Sequence, residues 1–90
     1  MFRVKKSIPM GAARQGYVYF RSLMYGELSE GRKQTIRAIC REAGGAYADA
    51  VFDFVTTDEG ATGICRRHHM SRETLDRCVR KYYLLFPKNL

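Results

Sequence analysis

Apolar residues recur three and four apart in one stretch of this chain after another, and a chain so patterned closes its core with helices. The one segment with strand propensity, Tyr17-Val18-Tyr19-Phe20, has no second strand to pair with, and Tyr17, Phe20 and Met24 already share a helical spacing. A helix over 17–25, ended by Gly26, is therefore predicted. Ser29 can cap a second helix, its hydroxyl accepting from a free backbone N–H, with Glu30 at the positive end of the dipole and Ile36, Ile39, Cys40 and Ala43 on the apolar face. Gly44-Gly45 interrupts it, because a left-handed residue after a helix is cheap for glycine alone. Over 46–56, Tyr47, Ala50, Val51, Phe54 and Val55 form one greasy side, with Asp49 and Asp53 opposite. Thr56-Thr57-Asp58-Glu59 reads as a threonine cap with two acids in the first turn of a short helix over 60–68. Ser71 caps the last helix, 71–86, whose stripe is Leu75, Cys78, Val79, Tyr82 and Leu85 and which Pro87 stops. The expected fold is all-α, a trihelical unit of 46–56, 60–68 and 71–86 with one or two additional N-terminal helices.

Ninety residues allow one domain, and a chain this short buries too little surface for a large internal substrate cavity. Its 46% apolar residues are those of a folding chain. No apolar run approaches the ~18–20 residues of a membrane span. Residues 1–16, with Pro9, Gly11 and Gly16 and no sustained apolar period, are expected to be a basic, flexible arm, and 17–90 a single helical domain. No apolar stretch follows Arg3, Lys5 and Lys6 to make an export signal, and Cys40, Cys65 and Cys78 are an odd number. Free thiols in the cytoplasm are the expectation.

The formal charge of +7 points to polyanions, and its distribution is more telling. Residues 1–33 hold seven cations against two acids, 34–57 two against three, and 58–90 seven against four. Two basic ends around a near-neutral middle could meet one polyanion from two directions.

The chemistry is concentrated in 60–80, Gly-Ala-Thr-Gly-Ile-Cys-Arg-Arg-His-His-Met-Ser-Arg-Glu-Thr-Leu-Asp-Arg-Cys-Val-Arg: a short helix, a tight turn, a serine cap and a longer helix. Two helices crossing through so short a turn need a small residue at the crossing, which Cys65 supplies, while Ile64, Met70, Leu75 and Cys78 are spaced to face a shared core. Outward on the second helix remain Ser71, Arg72, Glu73, Asp76, Arg77 and Arg80.

In these residues the chain resembles the helix-turn-helix DNA-binding domain, at about 60–82. Ile64-Cys65 match its apolar-then-small pair, Met70 to Leu75 its turn and recognition-helix start, and Cys78 its late core position. Residues 57–79 look most like the sporulation stage III transcriptional regulator D family, through Thr57, Ile64, Ser71, Thr74, Leu75 and Val79. The motif's turn glycine is His69 here, and the basic tail that follows the domain in that family has no counterpart before Leu90; the arm at Arg3–Arg14 would have to substitute. The resemblance implies sequence-specific duplex binding by a small transcriptional regulator. On this reading Ser71, Arg72, Glu73, Asp76, Arg77 and Arg80 face base edges in the major groove, where a bidentate arginine reads guanine. Arg66, Arg67, Thr74, Lys81, Arg3, Lys5 and Lys6 would take phosphates.

Other chemistries fit less well. Cys65 and His68 could share a helix side as zinc ligands, but a second ligand pair is missing and Cys65 and Cys78 fall where the helices need small buried residues. A Cys–His enzyme needs an exposed thiolate and a pocket, so no catalysis and no cofactor are expected. Six tyrosines (17, 19, 25, 47, 82 and 83) are expected to seal the core rather than stack on unpaired bases, although a single-strand or RNA binder is an alternative. Another is a protein-interaction adaptor of the same shape. Tyr82, Tyr83, Leu84, Leu85 and Phe86 are either core or a homodimer patch.

Overall fold

The computed structural model describes residues 2–90 and contains five α-helices and no strand among them: α1 (Ala12–Leu23), α2 (Glu30–Gly44), α3 (Ala48–Thr56), α4 (Ala61–His68) and α5 (Arg72–Leu85). One-turn 3₁₀ segments, Tyr25–Glu27 and Gly45–Tyr47, precede α2 and α3. The local signals act as expected at two helix starts. Ser29 accepts from the Arg32 amide, and Ser71 from the Thr74 amide at 3.1 Å. Gly45 takes φ +54 where α2 ends, a conformation that any side chain would strain.

The short helix α3 lies at the centre and packs on all four others. Ala50, Val51 and Val55 are buried, Phe52 and Phe54 are half-buried, and a helix so nearly apolar all round has to sit inside. Across it α2 brings Ile36, Ile39, Cys40 and Ala43, and α5 brings Leu75, Cys78, Val79, Tyr82 and Tyr83. Gly44 permits the close approach of α2 to α3, since a Cβ there would stand 3.0 Å from Val51 Cγ2. Tyr47, expected on the greasy side of α3, lies in the preceding 3₁₀ turn and is exposed. Thr57 caps no helix N-terminus; its hydroxyl donates to the Asp53 carbonyl at 2.6 Å and accepts from the Glu59 amide, closing α3, and Gly60 is the cap residue just before α4.

The largest departure is in α1, which starts at Ala12 rather than at 17, inside the segment expected to be an arm. Its inward face is Gln15, Val18 and Ser22, whereas Tyr17, Phe20 and Met24 are 41%, 55% and 41% exposed. Polar side chains can take inward positions when every hydrogen bond is answered. The Gln15 carboxamide accepts from the Lys5 amide at 2.8 Å and donates to the carbonyls of Lys5, Ile8 and Met10. Ser22 donates to the Val18 carbonyl and shares a 2.8 Å hydrogen bond with Tyr82 of α5. The N-terminal segment thus winds around one amide, and Ile8 is buried beside it. At the other end Arg14 donates to the carbonyls of Phe86 and Pro87, and Arg21 to that of Leu90. These bonds tie the tail after α5 to α1.

Burial sets the titration of the core. Desolvation pushes the Cys40 thiol up to about 12 and the Tyr83 phenol up to about 12, and raises Tyr82 further. The folded state therefore favours the neutral phenols. Their contribution to stability is complete below the unfolded value of 10.0 and is lost as pH rises from there towards 12. Unfolding in alkali should accordingly set in above about pH 10, with the 295 nm absorbance of the buried tyrosines rising together with the loss of helical circular dichroism. Gln15→Met keeps the volume but leaves the Lys5 amide and the Met10 carbonyl unpaired, while the Lys5 and Ile8 carbonyls keep the Ile8 and Met10 amides; urea denaturation should show a loss of about 2–4 kcal/mol.

Candidate nucleic-acid interface

The exposed side of α5 follows from its buried one. Leu75, Cys78, Val79 and Tyr82 fix the helix by one stripe, so at 100° per residue Arg72, Asp76, Arg80, Glu73 and Arg77 fall within an arc of roughly 140° on the other side. All five are exposed. Within this arc Arg72 Nε donates to Asp76 Oδ1 at 3.0 Å, one turn on, which holds the arginine along the helix axis. Arg77 and Arg80 form no ion pair among the described residues, and Lys81, farther round the helix, is exposed as well. Glu73 stands in the first turn, where its charge suits the dipole.

Helix α4 approaches α5 through a three-residue connection. Ile64 is fully buried, Cys65 and Met70 are half-buried against the core, and the Met70 amide donates to the Cys65 carbonyl at 3.1 Å. The chain can reverse this tightly because His69 adopts φ 52 and ψ 51, a left-handed conformation. Ser71 then starts α5 in extended conformation, and its hydroxyl also donates to Thr74 Oγ1 at 2.9 Å.

Several residues assigned to phosphates have a structural partner instead. Arg67 donates to Glu59 at 2.6 Å and to Asp53 at 3.4 Å, and His68 Nε2 lies 2.9 Å from the same Asp53 carboxylate. These contacts brace the end of α4 against α3, a role the sequence does not advertise because Asp53 lies fourteen residues from Arg67. Thr74 is half-buried, its hydroxyl engaged by Ser71. Arg66 is exposed and makes no ion pair among the described residues. In the N-terminal segment Arg3 and Lys6 are exposed, while Lys5 is half-buried with Nζ 5.6 Å from the centre of the Phe54 ring. Arg3, Lys5 and Arg72 line one recess, so cations from the two ends of the chain do meet. Arg14, at the end of the expected arm, is committed to the C-terminal carbonyls.

The C-terminal aromatic segment belongs mainly to the core: Tyr82, Tyr83 and Phe86 are buried and Leu84 alone is well exposed. The exposed apolar stripe lies elsewhere, on α1, where Tyr17, Phe20 and Met24 flank a shallow groove floored by Ala13 and Gly16. No helix among the described residues is long and apolar enough to cross a membrane. Cys40 and Cys78 are buried and Cys65 is half-buried, all as free thiols.

In comparisons with protein-family models, with curated proteins and with solved structures, the chain matches none, so the site is read from its own geometry. The left-handed turn gives a direct check on that geometry. His69→Gly should stabilise the protein by about 0.5–1 kcal/mol, because glycine meets no Cβ penalty there, and thermal unfolding should show the gain; a loss would mean that the turn is not left-handed.

Proposed function

We propose that this protein binds duplex DNA selectively, as a small transcriptional regulator, with α5 as the helix that enters the major groove. The observation that carries this reading is the arc of exposed polar side chains on α5. Arg72, Glu73, Asp76, Arg77 and Arg80 share one side of a helix that is otherwise locked into the core. A helix of this kind fits the major groove, and forked guanidinium groups match the acceptor pair of guanine. Arg77 and Arg80 are the base-reading candidates least committed to protein partners, with Ser71, Glu73 and Asp76 at the groove end. Arg66, Lys81, Arg3, Lys5 and Lys6 are the phosphate candidates, and Arg67 acts chiefly as a brace. Occupancy is the whole mechanism: nothing in it calls for catalysis, a cofactor or a metal. The resemblance in 57–79 to the sporulation regulator family suggests a developmental or mobile-element programme, and such a protein would work at the nucleoid in the cytoplasm.

The adaptor reading is favoured by one observation, the exposed Tyr17–Phe20–Met24 stripe of α1. It would give binding to a protein partner that salt scarcely weakens, whereas duplex binding falls steeply with salt. Stacking on unpaired bases has less support, since Tyr82 and Tyr83 are buried, Tyr19 donates to Asp58, and the Tyr25 hydroxyl accepts from Arg37. A homodimer formed through the C-terminal aromatics is likewise reduced to Leu84 and the edge of Leu85.

Selection of bound duplexes from a random pool at physiological salt tests binding and selectivity together; recovery of no common sequence would overturn the base-reading role. On the selected site Arg77→Ala should cost about 1–3 kcal/mol and relax the choice at one base pair. Arg66→Ala should weaken all duplexes alike and make the salt dependence shallower by roughly one unit.

A further inference from the structure

Between the N-terminal segment and the start of α4 lies a recess of about 310 Å³, lined by residues of that segment, of α1, α3, α4 and α5, and of the link between α3 and α4. Its rim holds three cations, Arg3, Lys5 and Arg72, and its walls include Phe54, Val55 and Ala61. Gly60, the cap residue just before α4, lies on it and has no side chain to cap that helix. The first amides of α4 therefore have no partner within the helix and carry its positive end. Asp58 and Glu59 also line the recess, so the three cations stand beside two carboxylates: Asp58 accepts from Tyr19 at 2.6 Å, and Glu59, which lies over the first turn of α4 close to Gly63, pairs with Arg67 at 2.6 Å.

Tyr83 points to a ligand independently of these charges. Its side chain is buried, with 4% of the residue exposed, and it lines the recess. Its hydroxyl has no hydrogen-bond partner among the described residues, although no sealed side-chain polar atom lacks one, so it opens onto the free space. The neighbouring Tyr82 differs in this respect, being fully buried and satisfied by Ser22. Burial pushes the Tyr83 phenol up to about 12, so at neutral pH it remains a donor. Arg72 and Tyr83 are eleven residues apart on α5, about 16 Å along the axis, and lean towards each other only by the length of their side chains. A bare ion at one end of such a recess would leave the other unanswered.

We propose that this recess is a binding site for a small organic phosphate monoester. The phosphate sits against the first amides of α4 and the Arg3, Lys5 and Arg72 side chains. The body lies along Phe54, Val55 and Ala61, and an acceptor on it takes the Tyr83 hydroxyl. The site does not rest on the DNA reading, and its test contains no DNA.

The test is a ¹⁵N-resolved NMR titration of the whole protein with adenosine 5′-monophosphate, alongside its two halves, adenosine and inorganic phosphate. The nucleotide should shift the amides of Gly60 to Gly63 and saturate at a concentration at least tenfold below that of either half. Tyr83→Phe keeps the ring in the core and should weaken nucleotide binding roughly three- to tenfold, the worth of one hydrogen bond, with unchanged helical circular dichroism. Three results would each overturn the proposal: nucleotide binding no tighter than that of inorganic phosphate, shifts scattered over the basic surface, or a Tyr83→Phe protein that binds the nucleotide as well as before.

Discussion

Tyr82 is fully buried, and its hydroxyl lies 2.8 Å from Ser22. A phenol in that position is tolerable only with a partner, and the partner comes from α1, sixty residues earlier. This bond orients two helices at once. It fixes the inward stripe of α5 against α1, and it explains why α1 turns a serine rather than an aromatic towards the core. Once Tyr82 is seated, Leu75, Cys78 and Val79 follow into the same interior, and Arg72, Glu73, Asp76, Arg77 and Arg80 are left to solvent. The candidate interface is thus the complement of the core: its residues share a side because the opposite side is fully spent on packing.

The parts of this fold that could be read from the sequence are those written in local chemistry. Ser29 and Ser71 carry caps, Gly45 a left-handed backbone, and Ile36, Ile39, Cys40 and Ala43 an uninterrupted apolar period; each is decided within a few residues of itself. The tight turn between α4 and α5 was legible as well, from the short helix before it and the serine cap that follows. Helix α1 was not. Its face was assigned from Tyr17, Phe20 and Met24, the large residues, while the structure buries Gln15 and Ser22, whose partners are backbone carbonyls and a distant tyrosine. No periodicity of apolar residues can announce a polar side chain that is satisfied at long range.

The candidate site divides in the same way. That Arg72, Arg77 and Arg80 share an exposed side of one helix follows from spacing alone, as does the exposure of Glu73 and Asp76. Which cations are already engaged does not. Arg67 goes to Glu59 and Asp53, Arg14 and Arg21 to tail carbonyls, and Arg37 to Glu30 and Tyr25. A count of charges treats all of these as available to a polyanion. The structure separates the arginines that hold elements together from those that solvent alone surrounds: Arg66, Arg77 and Arg80 on α4 and α5, and also Arg3, Arg32 and Arg41 elsewhere on the surface.

The winding of the N-terminal segment about Gln15 has a thermodynamic consequence. Because that carboxamide holds the backbone at Lys5, Ile8 and Met10, the segment that carries Arg3 and Lys5 is anchored beside the recess that Arg72 also lines. A tethered basic tail gives up its conformational freedom each time it docks, and part of its attraction is spent in doing so. Here the backbone is ordered once, when the protein folds, and an anion reaching these cations would not have to order it again.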